Sequence, residues 1–211
     1  MADLTLLHNA ILNGDLKAAV AVTKQALAEQ VDPVELVNGY MVPAMDEVGR
    51  RFECEEYFVP ELLLSGRAMK GSLELLRPLL AAQGAESAGR VVIGTVKGDL
   101  HDIGKNLVSS MLEGGGFEVV DLGADVSPEK FAAAVKEREA NIVCLSALLT
   151  VTMPSMKTTI EALKSAGVRD RIKVLIGGAP VTQQYADEIG ADGYGENATA
   201  AVSLARKLVS K

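Results

Sequence analysis

Val91-Val92-Ile93-Gly94-Thr95-Val96, then Lys97-Gly98-Asp99-Leu100-His101-Asp102, then Ile103-Gly104-Lys105-Asn106: this stretch decides the fold. A short β-rich apolar run passes through an acidic glycine-containing loop into a helical pattern over 103–113. The same unit recurs to the C-terminus. Apolar β-rich runs cover 118–122, 142–146 and 173–176, with a short one at Gly193-Tyr194. Helical patterns cover 128–138, 154–166, 181–189 and 198–209 between and after them. Ser127-Pro128 is a good helix start, because proline suits a first turn that has no amide partner to offer. Five strands alternating with five helices predict an α/β domain with a five-stranded parallel sheet covered on both faces. Ligands in such sheets bind at the carboxyl ends of the strands, so the loops there carry the function.

Upstream the period changes. Leu62, Gly66, Met69, Leu73, Leu76 and Leu80 are spaced three and four apart and share one helix face. Residues 4–12, 15–29 and 33–51 show the same pattern. Gly14 stops the first of these, and Asp32 caps the third with Pro33 in its first turn. Four helices with short turns predict an antiparallel four-helix bundle over 1–82. Gln83 to Gly89 is small and polar and is the expected linker, leaving 90–211 for the sheet domain.

The totals exclude several partners. The chain has 211 residues and a net charge of -7, so it lacks the basic surface that a phosphate backbone needs. Aromatic residues make up 4% and there is no Trp, which argues against stacking on single-stranded nucleic acid. No apolar run approaches the roughly 18 residues of a membrane span, and residues 1–12 carry no basic leader. Cys54 and Cys144 are isolated, without CxxC spacing, which predicts a reducing, cytoplasmic setting and no zinc site. Cys144 lies in an apolar run and is expected to be a buried, inert thiol.

The loop after the first strand fails two nucleotide tests. A P-loop needs glycine where Asp99 stands and Ser or Thr where Asn106 stands; a dinucleotide fingerprint lacks its middle glycine. Metal ligation suits it better. Asp99 lies two residues from His101, and in an extended loop such residues point the same way. A carboxylate on one imidazole nitrogen fixes the tautomer and strengthens the other as a ligand. One histidine cannot hold zinc, which wants three or four protein ligands. It can supply one axial bond to a metal already held by a macrocycle. The alternative is an ordinary loop histidine. Asp102 is expected to cap the helix from Ile103.

Asp99-x-His101-x-x-Gly104 resembles the signature of cobalamin proteins that bind their cofactor with its own base displaced. Ser146-x-Leu148, with Thr150 and Thr152, follows the third strand; Gly177-Gly178-Ala179 follows the fourth; Tyr194 to Thr199 follows the fifth. Over almost its whole length the chain is similar to the methyltransferase-associated corrinoid proteins, methyl carriers that resemble the cobalamin module of methionine synthase. The resemblance implies a flavodoxin-like, Rossmann-type sheet domain with His101 as the lower cobalt ligand. Gly98, Asp99, Leu100, Asp102, Gly104, Ser146, Leu148, Thr150, Gly177, Gly178 and Ala198 are then cofactor-binding. Ser146 and Thr150 are able to hydrogen-bond the buried base and tail, and Gly177 and Gly178 let the tail approach the backbone. Thr152 matches a serine that extends the His-Asp relay; the alternative is a cap for the helix near Pro154. For Gly177 and Gly178 the alternative is a plain tight turn. Phe52 and Val59 match residues by which the bundle caps the upper corrin face; the alternative is bundle core. Asn38 departs from an acidic contact of methionine synthase.

The function so implied is a shuttle between Co(I) and methyl-Co(III). A cognate substrate-specific methyltransferase loads the methyl, a second methyltransferase passes it to a thiol or a folate, and a reductive activase restores lost cobalt reduction. The chain itself would be a non-catalytic carrier subunit. Two other readings are the cobalamin-binding subunit of an adenosylcobalamin mutase and a cobalamin sensor module. The first matches only the second half of this chain, and the second needs an output domain that 211 residues do not accommodate.

Overall fold

A computed structural model describes residues 3–83 and 87–209. Residues 84–86, most of the expected linker's first half, lie outside the described residues. The chain divides into two compact units: residues 1–87 with 110–116, and residues 88–109 with 117–211.

The second unit holds the parallel sheet. Its strands are β1 (Arg90–Thr95), β2 (Glu118–Asp121), β3 (Ile142–Ser146), β4 (Lys173–Gly177) and β5 (Gly193–Tyr194). They lie in the order β2-β1-β3-β4-β5, every neighbouring pair parallel. Central strands need apolar residues on both faces. Accordingly β1, β3 and β4 are buried almost throughout, while the edge strand β2 is only partly covered. Phe131 packs over Gly94, where even a Cβ would come within 2.8 Å of its ring.

The helices of this unit are α6 (Ile103–Gly114), whose last turn belongs to the first unit, α7 (Pro128–Arg138), α8 (Pro154–Ser165), α9 (Gln183–Ile189) and α10 (Ala198–Val209). The predicted spans agree within a residue or two. The largest difference is α9, expected from 181. The Thr182 hydroxyl accepts the Tyr185 N–H, so Thr182 is the cap and the helix starts after it. The chain places β2 on one side of β1 and β3 on the other. The sheet order thus reverses between β1 and β3, and ligands of such sheets bind beyond the strand ends at that reversal.

The first unit comprises α1 (Leu4–Leu12), α2 (Leu16–Ala28), α3 (Pro33–Glu35), α4 (Val42–Glu53) and α5 (Val59–Ala82). Asp3, Asp15 and Asp32 cap the first three through their carboxylates. The helix expected without interruption over 33–51 instead contains a π-helical turn, Leu36–Met41. Pro43 explains it. Proline has no amide hydrogen and crowds the carbonyl four residues back, so the turn before it takes up an extra residue. Val42 N–H accordingly donates to the Val37 carbonyl, five residues back. Leu62, Met69, Leu73 and Leu76 of α5 are buried as their spacing predicts, and Leu80 is half-buried. Gly71 lets α5 approach α2, since a Cβ there would meet Leu16 at 2.4 Å.

Candidate functional site

The site at the ends of β1 and β3 is built around one buried carboxylate. Asp99 is fully buried in the loop between β1 and α6. Its Oδ1 accepts the His101 N–H at 3.0 Å and lies 2.8 Å from His101 Nδ1. Its Oδ2 accepts the backbone N–H of Leu148 at 2.8 Å and of Leu149 at 3.3 Å, and the Thr152 hydroxyl at 2.7 Å. One side chain thus ties the β1–α6 loop to the β3–α8 loop. Burial alone would push its pKa up. The Thr152 hydroxyl, the His101 and Leu148 amides and the His101 ring more than offset this, and hold the carboxyl well below the ordinary carboxylate range.

An ionised carboxylate only accepts hydrogen bonds. His101 Nδ1 must therefore carry the ring proton, and in the neutral ring Nε2 keeps its lone pair. The His101 side chain stays half exposed, at 51%, against 0% for Asp99. The imidazole is oriented from below and open on its other side. Thr95 Oγ1 anchors the loop further by donating to the His101 carbonyl at 2.9 Å. Thr152 does not cap α8 through its side chain: the cap position is Met153, which offers no side-chain bond. Its hydroxyl sits between Asp99 Oδ2 and the Leu149 carbonyl, 2.8 Å away.

Around His101 the surface is unusually apolar. The exposed large hydrophobic residues of this unit are Leu100, Ile103, Leu148, Leu149 and Val151, all on the two loops joined by Asp99 or at the start of α6. Leu100 and Ile103 are each 76% exposed. Gly104 lies in the first turn of α6, and a Cβ there would meet nothing within 4 Å. Neither packing nor backbone conformation of the protein asks for glycine at that point. A fixed, half-exposed imidazole amid exposed apolar side chains, beside a glycine that leaves open space, fits a broad apolar macrocycle carrying a metal. A bare ion has no ligand set: among the described residues no three His, Cys, Asp or Glu side chains gather to hold one.

The other expected residues fall as follows. Gly98 adopts φ +85, and its N–H donates to Asp125 at 2.8 Å. Asp102 occupies the cap position, but its carboxylate does not take a backbone N–H; it accepts the Asn106 side-chain amide at 3.1 Å. Ser146 is half-buried at the end of β3, and Thr150 is exposed beyond it. Gly177 ends β4 and Gly178 follows it. A Cβ on Gly178 would lie 1.9 Å from the Ala147 carbonyl oxygen, and one on Gly177 3.0 Å from that of Gly195. The backbones of neighbouring loops already fill those places. Ala198 is buried at the start of α10, where the Asn197 side chain accepts the Ala200 N–H at 2.8 Å. In the first unit Phe52 is half-buried at the end of α4, and Val59 is exposed at the start of α5.

Comparison with known proteins identifies the group. Residues 89–203 match the B12 binding domain family, and residues 4–77 match a second family also described as a B12 binding domain. The chain belongs to the B12-binding corrinoid proteins. A corrinoid protein of Desulfitobacterium hafniense is 43% identical over 214 residues, covering 100% of this chain and 99% of that one. Trimethylamine corrinoid protein 1 of Methanosarcina acetivorans is 45% identical over 203 residues, 95% of this chain and 94% of its own. Among solved structures, the methanol:cobalamin methyltransferase complex of Methanosarcina barkeri matches with a TM-score of 0.87 at 30% identity, over 98% of this chain and 79% of that one. A cobalamin-binding protein from D. hafniense matches with a TM-score of 0.78 at 36% identity, over 99% of each chain. This corrinoid protein is thus of the methyl-carrying, methyltransferase-associated kind. Its relatives align through the helical half as well, and the mutase and sensor readings are not favoured.

Three features escaped the sequence. Asp125, in a left-handed conformation at φ +52, clasps Gly98 N–H and Lys97 Nζ across the loop. Lys105 is buried, with Asp121 and Asn106 on its ammonium. Phe58, 62% exposed, is more open than Phe52 or Val59. Distant partners and burial define these roles, and local spacing signals none of them. Cys144 is buried as expected, which pushes its thiol up to about 12, and Cys54 is exposed. Among the described residues no helix is long and apolar enough to cross a membrane.

Proposed function

We propose that this corrinoid protein holds cobalamin with its own base displaced, with His101 Nε2 as the lower cobalt ligand, and carries a methyl group between two enzymes. The observation that carries the reading is the half-exposed His101 ring, fixed through Nδ1 by buried Asp99 at the centre of an exposed apolar surface. When bound, the cobalt supplies both the nucleophile that takes a methyl group and the leaving group that gives it up. The chain's own residues do the rest. Asp99 keeps the proton on Nδ1, so the far nitrogen is available as a donor. Thr152 and the Leu148 and Leu149 amides keep Asp99 ionised and in place. Leu100, Ile103, Leu148 and Val151 offer the apolar floor, and Gly104 leaves room over it. Ser146 and Thr150 present hydroxyl groups to the displaced tail beyond the ends of β3 and β4. Phe52 and Val59 are the residues of the helical unit assigned to shielding the methyl group.

The donor enzyme is a partner in this reading. The methanol:cobalamin methyltransferase complex supports a methyltransferase in that role, and the trimethylamine and dimethylamine corrinoid relatives support a small methylated donor. A second methyltransferase, with a thiol or folate acceptor, and a reductive activase complete the cycle. The test is reconstitution with hydroxocobalamin, reduction to Co(II) and electron paramagnetic resonance. A nitrogen splitting from histidine is expected, and His101→Ala should abolish it. An unchanged spectrum in that variant would end the ligand assignment. Methylation of the Co(I) protein by a methylamine or methanol without any added methyltransferase would end the carrier assignment.

A further inference from the structure

Asp99 follows a glycine, and a glycine is a free joint in the chain. Val96 to Asp99 form a hydrogen-bonded turn, with the Asp99 N–H donating to the Val96 carbonyl at 3.1 Å. Gly98, the third residue of that turn, has φ +85, and Lys97 before it lies outside the left-handed region. These are the marks of a type II turn. The commoner type I turn differs mainly in that the peptide between its two central residues is turned over. Glycine takes either sign of φ about equally, so the local chain has little preference between the two forms. Two side chains from elsewhere in the sheet unit supply one. At one end of the Lys97–Gly98 peptide, the Gly98 N–H donates to Asp125 Oδ1 at 2.8 Å. At the other end, the Lys97 carbonyl accepts the Ser155 hydroxyl at 3.0 Å. Turned over, the peptide would lose both bonds and set its carbonyl against the Asp125 carboxylate. Asp125 is equipped for this grip. Its own φ of +52 is left-handed, a conformation that aspartate tolerates better than most residues. From there its N–H donates to the Asp99 carbonyl at 2.9 Å while its carboxylate takes the Gly98 N–H. The Gly98 amide first, and then Lys97, hold the Asp125 carboxyl below its ordinary range, so the acceptor is a charged one. Ser155 stands in the first turn of α8.

We propose that Asp125 and Ser155 are positioning residues that lock the Lys97–Gly98 peptide in its type II orientation and thereby hold Asp99 in register with His101, Leu148 and Thr152. Asp99 is next in the chain, and its carboxylate hydrogen bonds depend on position to within a few tenths of an ångström. Both residues act through Asp99 rather than on the cofactor. The proposal rests on His101 being the lower ligand.

The test uses the full chain. In the apoprotein, a nuclear Overhauser effect from Lys97 Hα to the Gly98 amide marks the type II turn, and one between the Lys97 and Gly98 amides marks type I. Their ratio gives the type II fraction. Wild type should show type II alone. Asp125→Gly removes the carboxylate and keeps a residue that accepts the left-handed backbone. Ser155→Ala removes the hydroxyl and suits a helix. Each variant should show both forms. With only the type II form competent to bind, the dissociation constant for hydroxocobalamin rises by the inverse of that fraction. A variant left about one-fifth type II should thus bind about 5-fold more weakly. The double variant should obey the same relation at a lower fraction. General damage to the fold would not tie affinity to the state of one peptide. Variants that keep type II alone, that lose it with unchanged affinity, or that lose affinity out of proportion to it overturn the lock. Histidine splitting in the wild-type Co(II) spectrum separates the lock from the ligand assignment. If the splitting is absent, the assignment falls and the lock with it. If it is present while turn and affinity do not move together, only the lock falls.

Discussion

Gly104→Ala should move the apoprotein and the loaded protein in opposite directions. Gly104 sits in the exposed first turn of α6 with a helical backbone, and a Cβ added there meets nothing within 4 Å. Replacing such a glycine by alanine restricts the unfolded chain and raises helix propensity, worth about 0.5–1 kcal/mol. With a urea slope of about 2 kcal/mol per molar, the apoprotein midpoint should rise by a few tenths of a molar. Binding should suffer. If a macrocycle rests over that open space, the new methyl group lifts it off the floor and lengthens its reach to His101. Overpacking of this kind costs about 1–3 kcal/mol, so the hydroxocobalamin dissociation constant should rise at least about 5-fold. Urea unfolding of the apoprotein and equilibrium ultrafiltration with hydroxocobalamin measure the two effects. A more stable apoprotein with unchanged affinity would show that the cofactor does not rest over Gly104. A less stable apoprotein would show that the fold itself needs this glycine, and the fit argument built on it would be lost.

Gly178→Ala should destabilise the sheet unit by about 2 kcal/mol or more whatever is bound, because its Cβ would fall 1.9 Å from the Ala147 carbonyl oxygen at a φ of +131; thermal unfolding of the apoprotein with little change in midpoint would contradict this. Thr152→Val keeps the shape but removes the hydroxyl on buried Asp99, and should cost about 1.5–3 kcal/mol in apoprotein stability; circular dichroism in urea measures it, and a neutral result would mean that the hydroxyl serves Leu149 instead. The Arg50 and Arg51 hydrogen bonds hold Glu47 down to about 2 from its ordinary 4.5. A depressed folded pKa gives stability that is complete above 4.5 and lost as pH falls toward about 2. Glu47→Gln should therefore differ from wild type in unfolding midpoint at neutral pH and converge with it across that acid window; a constant gap at every pH would refute the ion pair's part.

Much of the architecture was legible because it depends on near neighbours along the chain. Alternating apolar runs and helical patterns placed all five strands within a residue, since a strand buried on both faces must be apolar almost throughout. The helix start at Pro128 followed from proline's fit to a first turn. The interruption at 36–41 was less visible, because Pro43 acts on the turn before it and the apolar spacing runs on across the defect. Thr182 was missed as a cap because Val181 continues the apolar pattern.

The site divided along the same line. Asp99, His101 and Gly104 lie within six residues, so their relation is local: an aspartate binds the N–H two residues on, and the imidazole follows. The sequence by itself determined that loop, its place at the end of a strand, and the residue types able to ligate a metal. Only the tertiary structure decided what Asp99 does with its second oxygen. Leu148, Leu149 and Thr152 lie some fifty residues away, and they reach Asp99 because β3 pairs with β1 in a fixed register. The same holds for Asp121 on Lys105 and Asp125 on Gly98. A hydrogen bond depends on position to within a few tenths of an ångström, and the packing of the sheet sets position on that scale between residues so far apart in the chain.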